Sequence, residues 1–238
     1  MLDQLTAPTI VSAVVLALVA PGCAAMTCGL AQVKLCEGLM GCWNPLATRL
    51  EAAVIDEECD GLDLAGTALY DRGCVALSKA LVDNTRITSL NLFQSGIGDD
   101  CAVAIAATID LPGSKLRLVN LASNRLGGRG TKALTGAIAG PNSRVQDLNL
   151  RATHLGQAEA QMLAVALASI HTRITTLRLE QNDIGNAGAM ALARSIRFNR
   201  HCKLTKITFG RDELHDEVVD KLEGAAVLRV PPPQKDEL

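Results

Sequence analysis

The sequence predicts an α/β solenoid, a stack of about six strand–turn–helix units, and three observations predict it. The first is the pattern of the clearest unit. From Leu177 the chain alternates apolar residues (Leu177, Leu179), turns at Asn182 and places an apolar Ile184, after which Ala189, Leu192 and Ile196 recur at helical spacing. The second is its period. Strand starts at Leu62, Leu90, Val119, Leu148, Leu177 and Ile207 stand 28, 29, 29, 29 and 30 residues apart. The third is agreement between copies. Counting each strand start as position one, position eight is Leu69, Ile97, Leu126, Leu155, Ile184 and Leu214, and position sixteen is Leu77, Ile105, Leu134, Leu163, Leu192 and Leu222. Three residues ahead of the later strands an apolar position recurs as Ile87, Leu116, Val145, Ile174 and Leu204. A unit this small cannot bury its own apolar side, so neighbouring copies must stack on it.

The pattern L-x-L-x-x-N-x-I-G with G-A-x-A-L-A helices resembles the ribonuclease-inhibitor-like class of leucine-rich repeats, over about Leu62 to Ala226 and half a unit before it. The resemblance implies a curved horseshoe with parallel strands on the concave face and helices on the convex face. It also implies a protein or peptide partner on the concave face. The turn asparagine of the pattern is present as Asn124 and Asn182. Thr67, Ser95, Thr153 and Asp212 take its place in the other copies. These side chains bond locally to backbone, though less completely, so slightly irregular turns are expected.

Four segments follow from this reading: a signal peptide over 1–25, a helical cap over 26–61, repeats over 62–228, and a proline-rich tail over 229–238. No charge occurs between Asp3 and Lys34, and Ile10–Ala20 is an apolar run ended by Pro21-Gly22 and the small residues Cys23, Ala24 and Ala25. That is the pattern of a secretory leader cut after Ala24 or Ala25, although its first residues carry Asp3 and no basic residue. Uncleaved, Ile10–Val33 would be the only means of membrane attachment. Within the cap, Asn44-Pro45 is a helix start with Leu46, Leu50 and Val54 on one face, and Trp43 plugs the end of the stack. The last four residues, Lys235, Asp236, Glu237 and Leu238, form the endoplasmic-reticulum retrieval signal, and Pro231–Pro233 hold them extended for a retrieval receptor. Together the two ends predict a protein of the endoplasmic-reticulum lumen.

Composition narrows the function. Aromatics are 2% against 48% hydrophobic residues, so the core is Leu, Ile, Val and Ala. A net charge of −2 with Lys and Arg scattered along the chain argues against a nucleic-acid surface. Eight cysteines in an oxidising lumen point to disulfides. Helices pack about 8–10 Å apart, so a Cys74–Cys101 bridge is expected to need distortion. Any bridge is therefore expected among Cys28, Cys36, Cys42 and Cys59. No C-x-x-C is present, and none of His154, His171, His201 and His215 stands with a nucleophile or metal ligand at catalytic spacing.

The sequence thus predicts no enzyme and no cofactor, but a binding scaffold. Strand positions two, four and five face away from the core. Their aromatic and charged members, Phe93, Arg151, Arg178 and Glu180, are the partner-contact candidates. Asn91, Asn120 and Asn149 read instead as residues the repeat tolerates on a solvated face. Two other classes use such repeats. Relatives of the Ran GTPase-activating proteins work in cytosol or nucleus, against the luminal address. Relatives of the innate immune receptors would need the N-terminal segment retained.

Overall fold

The computed structural model describes residues 27–29, 60–82 and 86–210. The leader, most of the cap with Cys36, Cys42, Trp43 and Cys59, position eight and position sixteen of the last copy (Leu214, Leu222), and the retrieval tail lie outside them.

Among the described residues, seven short strands form one parallel sheet in chain order: β1 (Thr27–Gly29), β2 (Gly61–Asp63), β3 (Ser89–Asn91), β4 (Leu118–Asn120), β5 (Asp147–Asn149), β6 (Thr176–Arg178) and β7 (Lys206–Thr208). Among the same residues, five helices cross between β2 and β7: α1 (Tyr70–Leu81), α2 (Asp99–Ile109), α3 (Gly128–Ile138), α4 (Gln157–Leu167) and α5 (Gly185–Phe198). The sheet pairs Leu62, Leu90, Val119, Leu148, Leu177 and Ile207 as direct partners, so the repeat alignment is also the hydrogen-bond register. Strand β1 pairs Cys28 with Leu62. The apolar periodicity does not predict it, and it places a sheet element inside the segment expected to be helical cap. Parallel strands sit about 4.8 Å apart and packed helices about 8–10 Å apart, so the stack curves with its sheet inside.

The core lies between the two layers. Positions one and three of β2–β6, position eight, position sixteen and position twenty (Leu81, Ile109, Ile138, Leu167, Ile196) are all buried. Every apolar residue that the repeat alignment assigns to positions eight and sixteen within the described residues is in this core.

After position three the chain turns beneath the sheet, and its backbone groups need partners there. Asn182 supplies them from one repeat to the previous one. Its Oδ1 accepts the N–H groups of Thr153 and Leu155, both at 3.0 Å, while its Nδ2 donates to Leu150 O (2.7 Å) and Leu179 O (3.0 Å). Asn124 does the same for Ser95 N, Ile97 N, Leu92 O and Leu121 O. Two asparagines therefore serve four turns.

The irregularity expected of the other turns has a specific form. Position five is left-handed in every described copy (Gly66, Gln94, Ser123, Ala152, Gln181; φ 51° to 66°). Where position six is Thr or Ser, position seven is left-handed as well, at Ala68, Gly96 and His154. Where it is asparagine, position seven (Arg125, Asp183) is not among the positive-φ residues.

Cys74 and Cys101 form a disulfide with Cα atoms 5.0 Å apart, against the expectation that this pair would need distortion. The expectation compared the wrong distances. Axes 8–10 Å apart, each with Cα atoms at a radius near 2.3 Å, leave only about 3.5–5.5 Å between Cα atoms that face each other. The same crossing point is a close approach in two later pairs of helices as well. Its counterparts in later copies are Gly130 against Ala102 and Gly188 against Ala160, where a Cβ on either glycine would lie 2.7 Å from the alanine Cβ.

Two stability predictions follow from these joints. Asn182→Ala leaves several buried backbone groups without partners and is expected to cost about 3 kcal/mol or more in urea unfolding. Asn142→Ala, which removes one carbonyl bond at a partly exposed connection, is expected to cost under about 1 kcal/mol. Removing the disulfide opens a loop of 27 residues and is expected to cost about 3 kcal/mol. The pair Cys74→Ala with Cys101→Gly, which rebuilds the Ala160–Gly188 contact, should lose less than the serine pair.

Candidate functional site

The sheet face away from the helices carries positions zero, two and four of each repeat, where position zero is the residue before the strand start. Its floor is a shallow groove of about 260 Å³ across β2–β6, in which Leu118, Asn120, Asn149, Asp147 and Arg178 take part.

Position two forms a polar ladder. Asp63 Oδ1 accepts from Asn91 Nδ2 (2.9 Å), and Asn91 Oδ1 accepts from Asn120 Nδ2 (2.9 Å). The same side-chain oxygens also accept backbone N–H groups two residues on: Asp63 from Ala65, Asn91 from Phe93, Asn120 from Ala122 and Asn149 from Arg151, at 3.1–3.2 Å. Beyond the three-residue strands the chain bends, and each side chain at position two ties down the bend. Asparagine here has a local structural task, which is more than tolerance.

Arg178 takes the same position in β6 and makes a bidentate pair with Asp147 of β5, at 2.6 and 3.2 Å. Both side chains stay part exposed, so the pair contributes little to stability and leaves a planar donor fork at the groove.

The four candidates are not brought to one place. Arg178 lines the groove; Phe93, Arg151 and Glu180 do not. Phe93, at position four of the second copy, is 39% exposed. Arg151, two copies on, is exposed and donates from Nε to Gln181 Oε1 at 2.9 Å. Glu180 is half-buried, and its Oε2 is enclosed without a hydrogen-bond partner. Position five is exposed or half-exposed in every described copy, and it is also the left-handed hinge of the turn.

Two residues of this face were missed. Leu118 is 47% exposed in the middle of the sheet, and Asp147 anchors Arg178. Both stand at position zero. Extending the two-residue alternation one step ahead of each strand start would have found them.

Among the described residues no group of three or more His, Cys, Asp or Glu could hold a metal ion, and no helix is long and apolar enough to cross a membrane. Because Leu118 is already about half exposed, Leu118→Asp is expected to change the unfolding free energy by less than about 0.5 kcal/mol, whereas Leu121→Asp, within the core, should unfold the chain.

Comparison with known proteins agrees with the architecture. A family model described as a leucine-rich repeat matches residues 83–106 and 172–193. No curated protein matches the sequence. Solved structures that resemble it include actin-binding site 2 of leiomodin-1, at 16% identity and a TM-score of 0.48, covering 77% of this chain and 87% of that one. Another is the tropomodulin C-terminal domain from Caenorhabditis elegans, at 15% identity and a TM-score of 0.45, covering 77% and 90%. Six copies in hydrogen-bonded register, two of them matched by the family model, make this chain a leucine-rich repeat protein.

Proposed function

We propose that the chain is a protein-binding scaffold of the endoplasmic-reticulum lumen that holds a protein or peptide segment against its sheet face. The observation that carries this reading is the exposure of Leu118 within the groove, between the asparagine ladder and the Arg178–Asp147 fork. An apolar side chain set among polar groups of fixed geometry suits a partner that inserts an apolar residue and bonds around it. A short peptide in extended form meets the parallel strands across their direction, so specificity would come from side chains rather than from added strand pairing.

The luminal location rests on the leader-like N-terminus and the KDEL tail. It is supported by the Cys74–Cys101 disulfide, since such bonds persist in oxidising compartments and are rare in reducing ones. A retrieval receptor would then be a second partner, at Lys235–Leu238.

The test is a comparison of partners captured by the full chain in cells. Wild type, Leu118→Asp with Arg178→Glu, and Val165→Asp on the outer surface of α4 are expressed with an internal tag. Loss of the same partners in the sheet-face pair, with retention in the helix variant, is expected. Equal capture by all three would remove the sheet face as the binding surface. Deleting the last four residues should release the protein to the medium with a processed N-terminus. An unprocessed cytosolic product would end the luminal reading and favour a cytosolic regulator of the GTPase-activator type.

A further inference from the structure

Among the described residues the three most exposed large apolar side chains are Phe198 (75%), Val165 (73%) and Ile170 (66%). They gather at one edge of the helical layer. Val165 lies in the last turn of α4, Ile170 follows the end of α4 at Leu167, and Phe198 is the last residue of α5. Asn199 Nδ2 donates to Leu167 O at 2.6 Å, which holds the end of α5 against the end of α4. The two connections are built alike. His171 N donates to Ser169 Oγ (3.2 Å) and His201 N to Asn199 Oδ1 (2.9 Å), with Thr172 and Cys202 buried behind them. The backbone of both tips is therefore fixed while Ile170 and Phe198 stand in solvent.

The fold does not ask for these two residues. Counted back from the buried residue of each connection (Ser114, Ser143, Thr172, Cys202), Ile170 matches Pro112, Pro141 and Arg200, and Phe198 matches Asp110, Ala139 and Ala168. Small or polar residues serve the same places in the other copies. A phenylalanine held in water forgoes the stabilisation of burial unless something covers it.

The surroundings of the tips select what covers them. Arg197 Cζ lies 5.8 Å from the centroid of the Phe198 ring, and Arg173, Arg194, Arg200 and Lys203 are exposed on the same two copies. The carboxylates of those copies, Glu159, Glu180 and Asp183, belong to the turns and the first turn of α4, at the other end of the helices. A cation in its last turn suits the end of α5, which accounts for Arg197 but not for the apolar tips. Apolar tips flanked by cations match an anionic membrane surface. Phe and Ile enter the acyl boundary there, while Arg and Lys meet lipid headgroups at the same depth. Three side chains offer less than the roughly 800 Å² per partner that a stable protein complex buries, whereas attachment to a bilayer scales with the apolar area and charge present.

We propose that this edge of the solenoid, at the ends of α4 and α5, docks on an anionic lipid surface with Ile170 and Phe198 as the inserting side chains. The sequence allowed membrane attachment only through an uncleaved Ile10–Val33; this edge is a second and peripheral means, separate from the groove around Leu118. The experiment reads the bilayer from position 198 itself. Phe198→Trp in the full chain is mixed with vesicles of phosphatidylcholine and phosphatidylserine in equal parts, a portion of the lipid brominated. Its fluorescence is compared with that of the unsubstituted chain, whose Trp43 gives the baseline. Quenching beyond that baseline is expected, with little on phosphatidylcholine alone and an affinity about tenfold lower at about 200 than at about 50 mM salt.

In the same assay Arg197→Glu with Arg200→Glu should weaken binding about tenfold or more, and Arg125→Glu with Lys132→Glu, an equal charge change on another copy, less than about twofold. Ile170→Ser with Phe198→Ala, followed by vesicle sedimentation, should lose about tenfold in binding at an unchanged melting temperature. Ile10–Val33 is present in every variant, so its contribution cancels in the comparison. A lower melting temperature with unchanged binding would make the pair structural and overturn the proposal. Absence of quenching at low salt, quenching indifferent to phosphatidylserine, an equal loss in the Arg125/Lys132 pair, or tighter binding to oligouridylate would overturn it too. So would a dimer of the free chain that Ile170→Ser with Phe198→Ala dissolves, since the patch would then join two copies. Asp212, Glu213, Asp216 and Glu217 lie outside the described residues; were they to cover the patch, the full chain would show no quenching.

Discussion

A chain that passes under its own sheet after three residues of strand takes backbone N–H and C=O groups out of water, and those groups must be bonded. In this protein they are bonded across the repeat boundary. Asn124 and Asn182 reach into the preceding turn, Ser95 Oγ donates to Leu64 O of the copy before it (2.7 Å), and Ser169 and Asn199 donate to carbonyls at the end of the preceding helix. Helix starts follow the same rule. The glycines that precede α2 and α3 have no side chain to cap with, so Asp71 Oδ1 accepts Gly98 N and Cys101 N, and Asp99 Oδ1 accepts Gly127 N and Gly130 N. A Cβ on Gly127 would stand 2.7 Å from the Asp99 carboxylate, so the glycine leaves room for the cap that its neighbour supplies. No repeat is complete alone, and stability must propagate from copy to copy.

That dependence explains where the chain tolerates strain. Between positions five and seven, the turns without asparagine hold two left-handed residues in place of one, and each non-glycine member costs about 1 kcal/mol or more. They occur in the first, second and fourth described copies, and the second and fourth lie directly before a copy that carries asparagine. The strained turn of Ser95 is bonded by Asn124, and that of Thr153 by Asn182. From the second copy the first receives a single position-six side-chain bond, Ser95 Oγ to Leu64 O (2.7 Å), where an asparagine gives several. The Cys74–Cys101 disulfide and the Asp71 cap cross the same boundary and converge on the start of α2.

The fold was legible in the sequence to the level of register, because burial repeats at fixed positions and a one-residue slip would turn each strand over. Leu62, Leu90, Val119, Leu148, Leu177 and Ile207 align by apolar pattern alone and pair in the sheet unchanged. The site was less legible, for physical reasons. Phe93, Arg151, Arg178 and Glu180 share a face but belong to three copies and different positions, so alignment placed them on one surface without placing them together. Leu118 sits at a position that differs in every copy (Gly61, Ser89, Leu118, Asp147, Thr176, Lys206), so aligning the repeats gives it no weight. The disulfide depended on the facing distance between helices, which sequence spacing does not report. Strand β1 escaped because Thr27–Gly29 lies 34 residues ahead of its partner, outside the 28–30-residue period.

Binding at the sheet face must displace contacts that are already made. On the sheet face, position two is already engaged: Asp63, Asn91 and Asn120 are bonded to each other and to backbone, and Arg178 is held by Asp147. A partner that took these groups would exchange one hydrogen bond for another, with little net gain. Affinity at the groove must therefore come from Leu118 and the apolar area around it, with the ladder setting the geometry of the edges.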